Sequence, residues 1–244
     1  MVKTASTKKV IAVLAALSMI IAILGANASL TANASTTDVS LYSSEVYFCK
    51  YGIVQRVVYV KTDANSYDQK VTIHYNPLEG QAWEDTEAEY FTTLSDGSKL
   101  WKASFNSYNP EYDIKYEANG ETIWDNNGGM NYTNENLGTA PVTVNRGGFF
   151  TLGYNRIYAT LQNYAYDKDV VVRYTMDNWN TYTDIPMSYD STNANGTENW
   201  VATLYSDSFN FSGFEYCVRY EVNGQTYWAN NFNQNYDTSY RVYP

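Results

Sequence analysis

The sequence has few of the residues on which disulfide frameworks and metal sites depend. Only two of its 244 residues are cysteines and only one is a histidine. Cys49 and Cys217 fall at non-equivalent points of the internal repeat described below, which excludes a disulfide inside each half. A bridge between the halves stays open, but we predict two buried free thiols. Neither a cluster with metal-ligand spacing nor a Gly-rich phosphate loop occurs, and we expect neither a metal nor a cofactor.

Basic residues are also scarce. Lys and Arg total 16 against 26 Asp and Glu, for a formal net charge of −10. Lys3, Lys8 and Lys9 lie at the N-terminus, and without them 13 basic residues remain and the net charge is −13. A protein with this charge repels polyanions, so nucleic acid is not an expected partner. The 25 Tyr and 6 Trp residues instead suit a neutral ligand.

Long apolar runs are absent except near the N-terminus. Residues 10–24 carry no charge, follow three lysines, and precede A-x-A sequences that end at Ala28 and Ala34. This pattern predicts a secretory signal peptide at residues 1–34. A membrane anchor is the alternative, but the run is short for a span of about 20 residues. We therefore expect a secreted protein with no membrane association after cleavage.

The abundant aromatic and amide residues form a repeat. W-D-N-N-G-G-M-N-Y at residues 124–132 returns as W-A-N-N-F-N-Q-N-Y at residues 228–236. An indole beside amides and a phenol makes an apolar plate with donors and acceptors at its rim, which suits a sugar ring. The alternative is structural, with tryptophans in a core and asparagines shaping a turn through left-handed backbone. Recurrence of the whole pattern with changed intervening residues favours sugar binding.

The rest of the sequence alternates between apolar and polar residues in short segments. K-V-T-I-H-Y at residues 70–75 and V-V-V-R-Y at residues 170–174 are typical of strands. Asn-Gly pairs at residues 119–120 and 223–224 predict tight hairpins. Outside the signal segment we find no apolar period of 3.6 residues. The sequence therefore predicts an all-β protein made of antiparallel β-sandwich structure.

Two spacings predict the domain organisation. Tyr75 and Tyr174 lie 99 positions apart, as do Trp101 and Trp200, whereas the two motif tryptophans lie 104 apart. Five extra residues must therefore follow Trp200. A repeat of about 100 residues is long enough for a small domain. We predict a first module at residues 38–137 and a second, tandem module at residues 138–244.

With both motifs placed, the sequence resembles carbohydrate-binding module family 21, the starch- and glycogen-binding family. The second copy carries the resemblance best, through the strand at residues 168–174, Trp179, the Y-E-V-N-G hairpin at residues 220–224 and the motif at residues 228–236. The first copy shows Y-E-A-N-G at residues 116–120 and its full motif. The resemblance implies immunoglobulin-like β-sandwich modules that bind α-1,4-glucans such as starch, glycogen and maltooligosaccharides, without catalysis of their own.

The resemblance also implies which residues bind the glucan. The main platforms would pair Trp83 with Trp124 and Trp179 with Trp228, with amides around each pair. A second face would use one tyrosine before the K-V-x-V strand and one in the following strand. The implied residues are Trp83, Trp124, Asp125, Asn127, Asn131, Tyr132, Trp179, Trp228, Asn231, Asn235 and Tyr236 for the main platforms, and Tyr67, Tyr90, Tyr166 and Tyr189 for the second face. Ala229 replaces Asp125 in the second copy, and the Trp83 segment is expected to be three residues longer than its counterpart.

A glycoside hydrolase is one alternative, since it needs only two carboxylates about 5 to 10 Å apart. Acidic residues are plentiful, but only Glu117 and Glu221 recur in a motif, and both are predicted in a hairpin strand. His74 is expected on the strand face opposite Val71 and Ile73, exposed and unsuited to a catalytic triad.

An accessory targeting subunit is the other alternative, either for a secreted amylase encoded elsewhere or for a glycogen-associated phosphatase. The docking motif of such phosphatase subunits needs a basic residue, a valine and then Phe or Trp. The nearest match is R-V-V-Y at residues 56–59, which is predicted to lie in a strand. The predicted signal peptide argues against that cytosolic role and favours a secreted α-glucan-binding protein.

Overall fold

The fold is built from antiparallel strands with almost no helix, which confirms the all-β prediction. The computed structural model describes residues 38–49, 52–133, 136–145, 153–206 and 213–237, so the predicted signal peptide lies outside the described residues. Within these ranges no helix is long and apolar enough to cross a membrane. The strands are β1 Val39–Phe48, β2 Val54–Thr62, β3 Lys70–Tyr75, β4 Glu84–Glu87, β5 Glu89–Thr93, β6 Lys99–Asn106, β7 Tyr112–Ala118, β8 Glu121–Asp125, β9 Asn136–Leu137, β10 Val142–Asn145, β11 Gly153–Leu161, β12 Lys168–Thr175, β13 Thr183–Pro186, β14 Ser188–Thr192, β15 Glu198–Ser206, β16 Glu215–Val222, β17 Gln225–Ala229 and β18 Tyr236–Asp237.

These strands form four sheets. Sheet A has the order β5-β6-β2-β1-β9, and sheet B has the order β4-β3-β7-β8. Sheet C has the order β10-β11-β15-β14, and sheet D has the order β13-β12-β16-β17 with β18 also paired to β16. Alternation selects the buried face, as in β7, where Tyr112, Ile114, Tyr116 and Ala118 are buried. Sheets A and B enclose one apolar core, and sheets C and D enclose another.

The strand pairings of the two halves have matching registers. Tyr75 pairs with Glu84 across β3 and β4, and Tyr174 pairs with Thr183 across β12 and β13, each partner displaced by 99 positions. The predicted three-residue difference in this loop is therefore wrong, because the two connections are equally long. Ile114–Asp125 and its counterpart Val218–Ala229 are displaced by 104 positions, which places the five extra residues between β15 and β16, after Trp200 as predicted.

The segment between the halves runs along strand β1. Thr139 N–H donates to the Leu41 carbonyl at 2.8 Å, and Gln162 Nε2 donates to the Gly138 carbonyl at 2.6 Å. A side chain at Gly138 would stand 2.1 Å from the Leu41 carbonyl oxygen, so only glycine fits there. The described residues from Val39 onward belong to one compact unit. The connection is thus packed against the protein on both of its sides.

A third apolar cluster covers the outer face of sheet A. Val57, Tyr59 and Leu100 are buried there, on the side away from the core between the sheets. Phe91 from the same half packs on them, and so does Phe232 from the loop after β17. Side chains of both halves therefore build this cluster, which we call the outer cluster.

Candidate functional site

The outer face of sheet B carries an imidazole between two indoles. His74 on β3 stacks on Trp83, with centroids 4.9 Å apart and planes at 22°. It meets Trp124 on β8 edge-on, at 5.6 Å and 79°. His74 Nδ1 lies 2.6 Å from Asp85 Oδ1 across the β3–β4 pair, which fixes the imidazole. Trp124 remains 48% exposed. The structure thus brings the predicted pair Trp83 and Trp124 together through His74, and we call these three residues the first platform.

Sheet D carries a related arrangement built around a guanidinium. Arg173 Cζ lies 3.9 Å from the Tyr182 ring centroid and 5.4 Å from that of Trp228. Arg173 donates to both carboxylate oxygens of Asp184, at 2.7 and 2.8 Å. This pairing raises the pKa of Arg173 and lowers that of Asp184. Trp228 is 41% exposed, and we call Arg173, Tyr182 and Trp228 the second platform.

The second platform differs from the predicted pairing of Trp179 with Trp228. Tyr182 immediately precedes β13 as Trp83 immediately precedes β4, so Tyr182 is the counterpart of Trp83. Trp179 stands three residues earlier, with a φ of 64°. Its Nε1 donates to Glu215 Oε2 at 2.6 Å. Because a tight turn directs the Trp179 indole to this carboxylate, Tyr182 takes the place beside Arg173.

The two asparagine loops are turns that bond to themselves. Asn127 Nδ2 donates to the Asn131 carbonyl at 3.0 Å, and Asn231 Nδ2 donates to the Asn235 carbonyl at 3.1 Å. All four residues have φ between 50° and 58°, a left-handed conformation that asparagine tolerates. The alternative that the asparagines shape a turn therefore accounts for these two amide donors. Each loop begins three residues after a platform tryptophan.

Asp125 and Tyr132 are partly buried and bond to each other, which closes the first loop. The Tyr132 hydroxyl donates to Asp125 at 2.8 Å from each oxygen, and Leu41 N–H donates to Asp125 Oδ2 at 3.2 Å. The Tyr132 ring stacks on Tyr112 at 5.5 Å. Burial, together with the charge of Asp125, raises the pKa of Tyr132. Asp125 and Tyr132 thus belong to an internal network that reaches Leu41, 84 positions away in the chain, and their sugar contacts stay a prediction.

In the second loop the corresponding positions are buried. Tyr236 is 5% exposed, and its ring centroid lies 5.4 Å from that of Tyr216 in the core. Ala229, in the position of Asp125, is also buried. Burial excludes the predicted sugar contact of Tyr236, because β18 turns this side chain inward to the sheet D core.

The tyrosines of the predicted second face are all exposed. Tyr90 meets Trp101 edge-on at 6.0 Å, and Tyr189 meets Trp200 in the same way at 6.2 Å. Their hydroxyls bond to neighbouring threonines. The exposed side chains are Tyr67 and Tyr166, in the loops before β3 and β12, and Tyr90 and Tyr189, on β5 and β14. Exposure and the repeated edge-on geometry are compatible with the predicted second face, which stays a prediction.

The residue that pairs with the central residue of each platform differs between the two halves. Asp113 on β7 pairs with His74, and burial raises the pKa of its carboxyl. In the second half Cys217 is the counterpart of Asp113 and pairs with Arg173. Burial raises the pKa of this thiol to about 11. Both cysteines are free, but Cys49 is only half-buried, unlike the prediction. Among the residues that the structure describes, no group of His, Cys, Asp and Glu is placed to hold a metal ion.

Sequence reasoning missed three platform residues. His74 was correctly placed on the face away from Val71 and Ile73, but it is partly covered by indoles instead of being free in solvent. Arg173 and Tyr182 follow from the same 99-residue displacement that relates the strands. Register was therefore the signal that could have found them.

Three comparisons with known proteins bear on this site. The family profile for carbohydrate/starch-binding module (family 21) matches residues 157–239. Human protein phosphatase 1 regulatory subunit 3B is 36% identical over 80 residues, which make up 31% of this chain and 28% of that protein. Glycogen-binding subunit 76A of Drosophila melanogaster is 30% identical over 78 residues, which make up 31% of this chain and 12% of that protein.

Among solved structures, the carbohydrate-binding module of the muscle glycogen-targeting subunit of protein phosphatase-1 is similar. It is 24% identical, with a TM-score of 0.35, and the match covers 39% of this chain and 73% of that one. This chain spans less than a third of the length of either curated relative. The second platform lies wholly inside the matched residues, and residues 157–239 are therefore similar to the carbohydrate/starch-binding modules of family 21.

Proposed function

We propose that the protein binds α-glucan, as glycogen or starch, through the second platform and, by the repeat, through the first. The second platform carries this proposal. It exposes Trp228 and Tyr182 on either side of Arg173, inside the segment similar to family 21. The names of the relatives support glycogen as a ligand, since they include a glycogen-binding subunit.

The two platforms offer what a glucose unit needs. The apolar face of the ring stacks on an indole, and such stacking contributes about 1 to 3 kcal/mol on comparable aromatic surfaces. Sugar hydroxyls at the rim meet charged groups, Arg173 with Asp184 in one half and Asp85 in the other. Hydrogen bonds to charged groups are stronger than neutral ones, so these groups add affinity and orientation.

We propose that residues 38–137 and 138–244 are tandem immunoglobulin-like modules. The matching registers of β3–β4 with β12–β13 and the two separate cores support this division. Two weak sites on one chain can engage one long glucan, and linked sites typically gain about 10² to 10⁴ in affinity when both can bind.

We also propose that the protein binds glucan without cleaving it. The human relative is named as a regulatory subunit, and the matching family is a binding module. The carboxylate of the first motif, Asp125, is engaged by Tyr132 and Leu41, so it serves the fold.

The comparisons favour the targeting alternative over a free secreted binder, and they favour protein phosphatase 1 over an amylase as the partner. Both curated relatives carry the word subunit in their names, and one names this phosphatase. A phosphatase would need a docking segment other than residues 56–59, because Arg56, Val58 and Tyr59 are buried in β2. Retention of the full chain on immobilised phosphatase catalytic subunit tests this partner, and no retention contradicts it.

Secretion is the rival proposal to this cytosolic role, and it rests on residues 1–34. N-terminal sequencing of the protein recovered from the culture medium tests it, with Ala28 or Ala34 expected immediately before the first residue. A protein found only inside cells with an intact N-terminus contradicts export.

The test of glucan binding uses the full chain with glycogen, starch, cellulose and chitin. Wild type should sediment with the first two only. Trp228→Ala and Trp124→Ala should each weaken binding, and the double variant should lose it. Tyr205→Ala is the matched control, because this tyrosine is 83% exposed on β15 and belongs to neither platform. A folded double variant that still binds glycogen like wild type contradicts the proposal.

A further inference from the structure

Phe232 is the one aromatic residue of the second asparagine loop between its tryptophan and its tyrosine, and it stands where the first loop has Gly128. Its ring leaves the second half and joins the outer cluster. The Phe232 centroid lies 4.9 Å from that of Tyr59 on β2 and 4.9 Å from that of Phe91 on β5, the latter at 81°. A further contact, at 6.5 Å, joins it to Tyr42 on β1.

The backbone at Phe232 is in a conformation that aromatic residues avoid. Its φ is 54°, and the next residue, Asn233, has a φ of 69°. A bulky side chain in the left-handed region is rare and persists only where its surroundings hold it. Gly128 has a φ of 68°, and a Cβ built there would meet open space. The same turn is thus relaxed in the first loop and strained in the second, where ring packing offsets the strain.

The docked ring brings the second binding loop against the first half. Trp228 and Asn231 line one side of a narrow cleft of about 60 Å³, and Tyr42 and Ser43 of β1 line the other. In the first loop Gly128 takes the place of Phe232, and the tip residue Met130 is 74% exposed. The two loops share one turn but differ in what holds them.

We propose that Phe232 is a positioning residue for the second platform. By docking on the outer cluster of the first half, it holds the asparagine loop that follows Trp228 in place, so that the second glucan site is fully ordered only when the first half is folded. This inference rests on the proposed glucan binding, and it adds that one half regulates the affinity of the other. A loop that is already ordered loses less entropy when the sugar binds.

The experiment measures maltoheptaose affinity by calorimetry in two variants of the full chain. Trp124→Ala reports the second platform, and Trp228→Ala reports the first. Phe232→Gly in the Trp124→Ala chain removes the ring and supplies the residue that suits this φ. The dissociation constant should rise about tenfold, as expected when one or two side chains lose their ordering. Phe232→Tyr should restore the affinity to within about twofold of the parent, because it keeps the ring.

Three further variants separate positioning from general destabilisation. In the Trp228→Ala chain, Phe232→Gly should leave the affinity of the first platform unchanged. Phe91→Ala in the Trp124→Ala chain removes the receiving ring from the first half, and it should weaken the second platform as Phe232→Gly does. Met130→Ala is the matched control at the tip of the first loop and should alter neither platform.

The outcomes are distinct. A folded Phe232→Gly protein that keeps the second-platform affinity overturns the positioning role while glucan binding stands. Equal losses at both platforms, with lower thermal stability, also overturn it and assign Phe232 to overall stability. Wild type that binds no maltoheptaose contradicts the proposed function, and the inference falls with it.

Discussion

Replacing Asp125 tests whether the carboxylate of the first motif serves the fold or the ligand. In the structure it accepts hydrogen bonds from the Tyr132 hydroxyl and from Leu41 N–H. Leu41 is buried, so Asp125→Ala leaves its N–H without this partner. If Asp125 contacts the sugar, its replacement should lower the affinity for glucan. If it only serves this hydrogen-bond network, its replacement should lower the stability of the protein.

The expected magnitude follows from the donors. Hydrogen bonds to charged groups contribute about 1.5 to 3 kcal/mol each, and neighbouring losses do not add fully. We expect Asp125→Ala to lower the free energy of unfolding by about 3 kcal/mol. For a protein of this size that corresponds to a melting temperature lower by roughly 10 °C. Asp125→Asn retains one acceptor oxygen and should cost about half as much.

Calorimetric melting and maltoheptaose titration, both in the Trp228→Ala chain, provide the assay. At temperatures where the Asp125→Ala protein is folded, its affinity at the first platform should stay within about twofold of that of the Trp228→Ala parent. Asp85→Ala is the matched control, because this carboxylate is exposed and bonds to His74 at the platform. It should weaken binding and barely change the melting temperature. Unchanged melting of Asp125→Ala with affinity reduced tenfold or more, as for a direct contact, would refute our reasoning.

Two other predictions concern sheet D. Ala229→Asp should lower the free energy of unfolding by about 2 kcal/mol in urea, because it places a charge at a buried position. The negative charge of Glu45, which already raises the pKa of Tyr236, acts in the same region. Equal or higher stability would contradict this. Arg173 lowers the pKa of Asp184, so the stability of this pair is fully present above the ordinary carboxyl pKa of about 3.9 and is lost as pH falls through the lowered pKa. Melting temperatures of Asp184→Asn should therefore fall less than those of wild type on acidification in this range, and parallel curves would contradict the assignment.

The strands and the position of the platform tryptophans could be predicted because both follow from local sequence. Alternation in β3 places Ile73 inward and His74 outward, as observed. The recurring motif singles out Trp124 and Trp228, and the structure leaves both side chains exposed beside their loops, while their sugar contact stays a prediction. Such features need only the period of the strand and the conformational preference of asparagine.

Contacts between distant strands could not be predicted in this way. The motif gives no sign that Asp125 bonds to Leu41, or that Tyr236 turns inward beside Tyr216. Likewise, nothing in the local sequence indicates that Phe232 packs on Tyr59 of the other half. These side chains are placed by tertiary packing, for which local sequence has no period or spacing.

The connection through Gly138 limits how such a protein can evolve. A domain that moves between genes needs an exposed joint that tolerates change. Here a side chain at Gly138 would collide with the Leu41 carbonyl of the first half, and Gln162 of the second half donates to the Gly138 carbonyl. A protein that contained only the first half would lack Phe232, and its outer cluster would be exposed to water. The two copies should therefore be inherited as a pair, free to diverge in sequence but not to be shuffled apart.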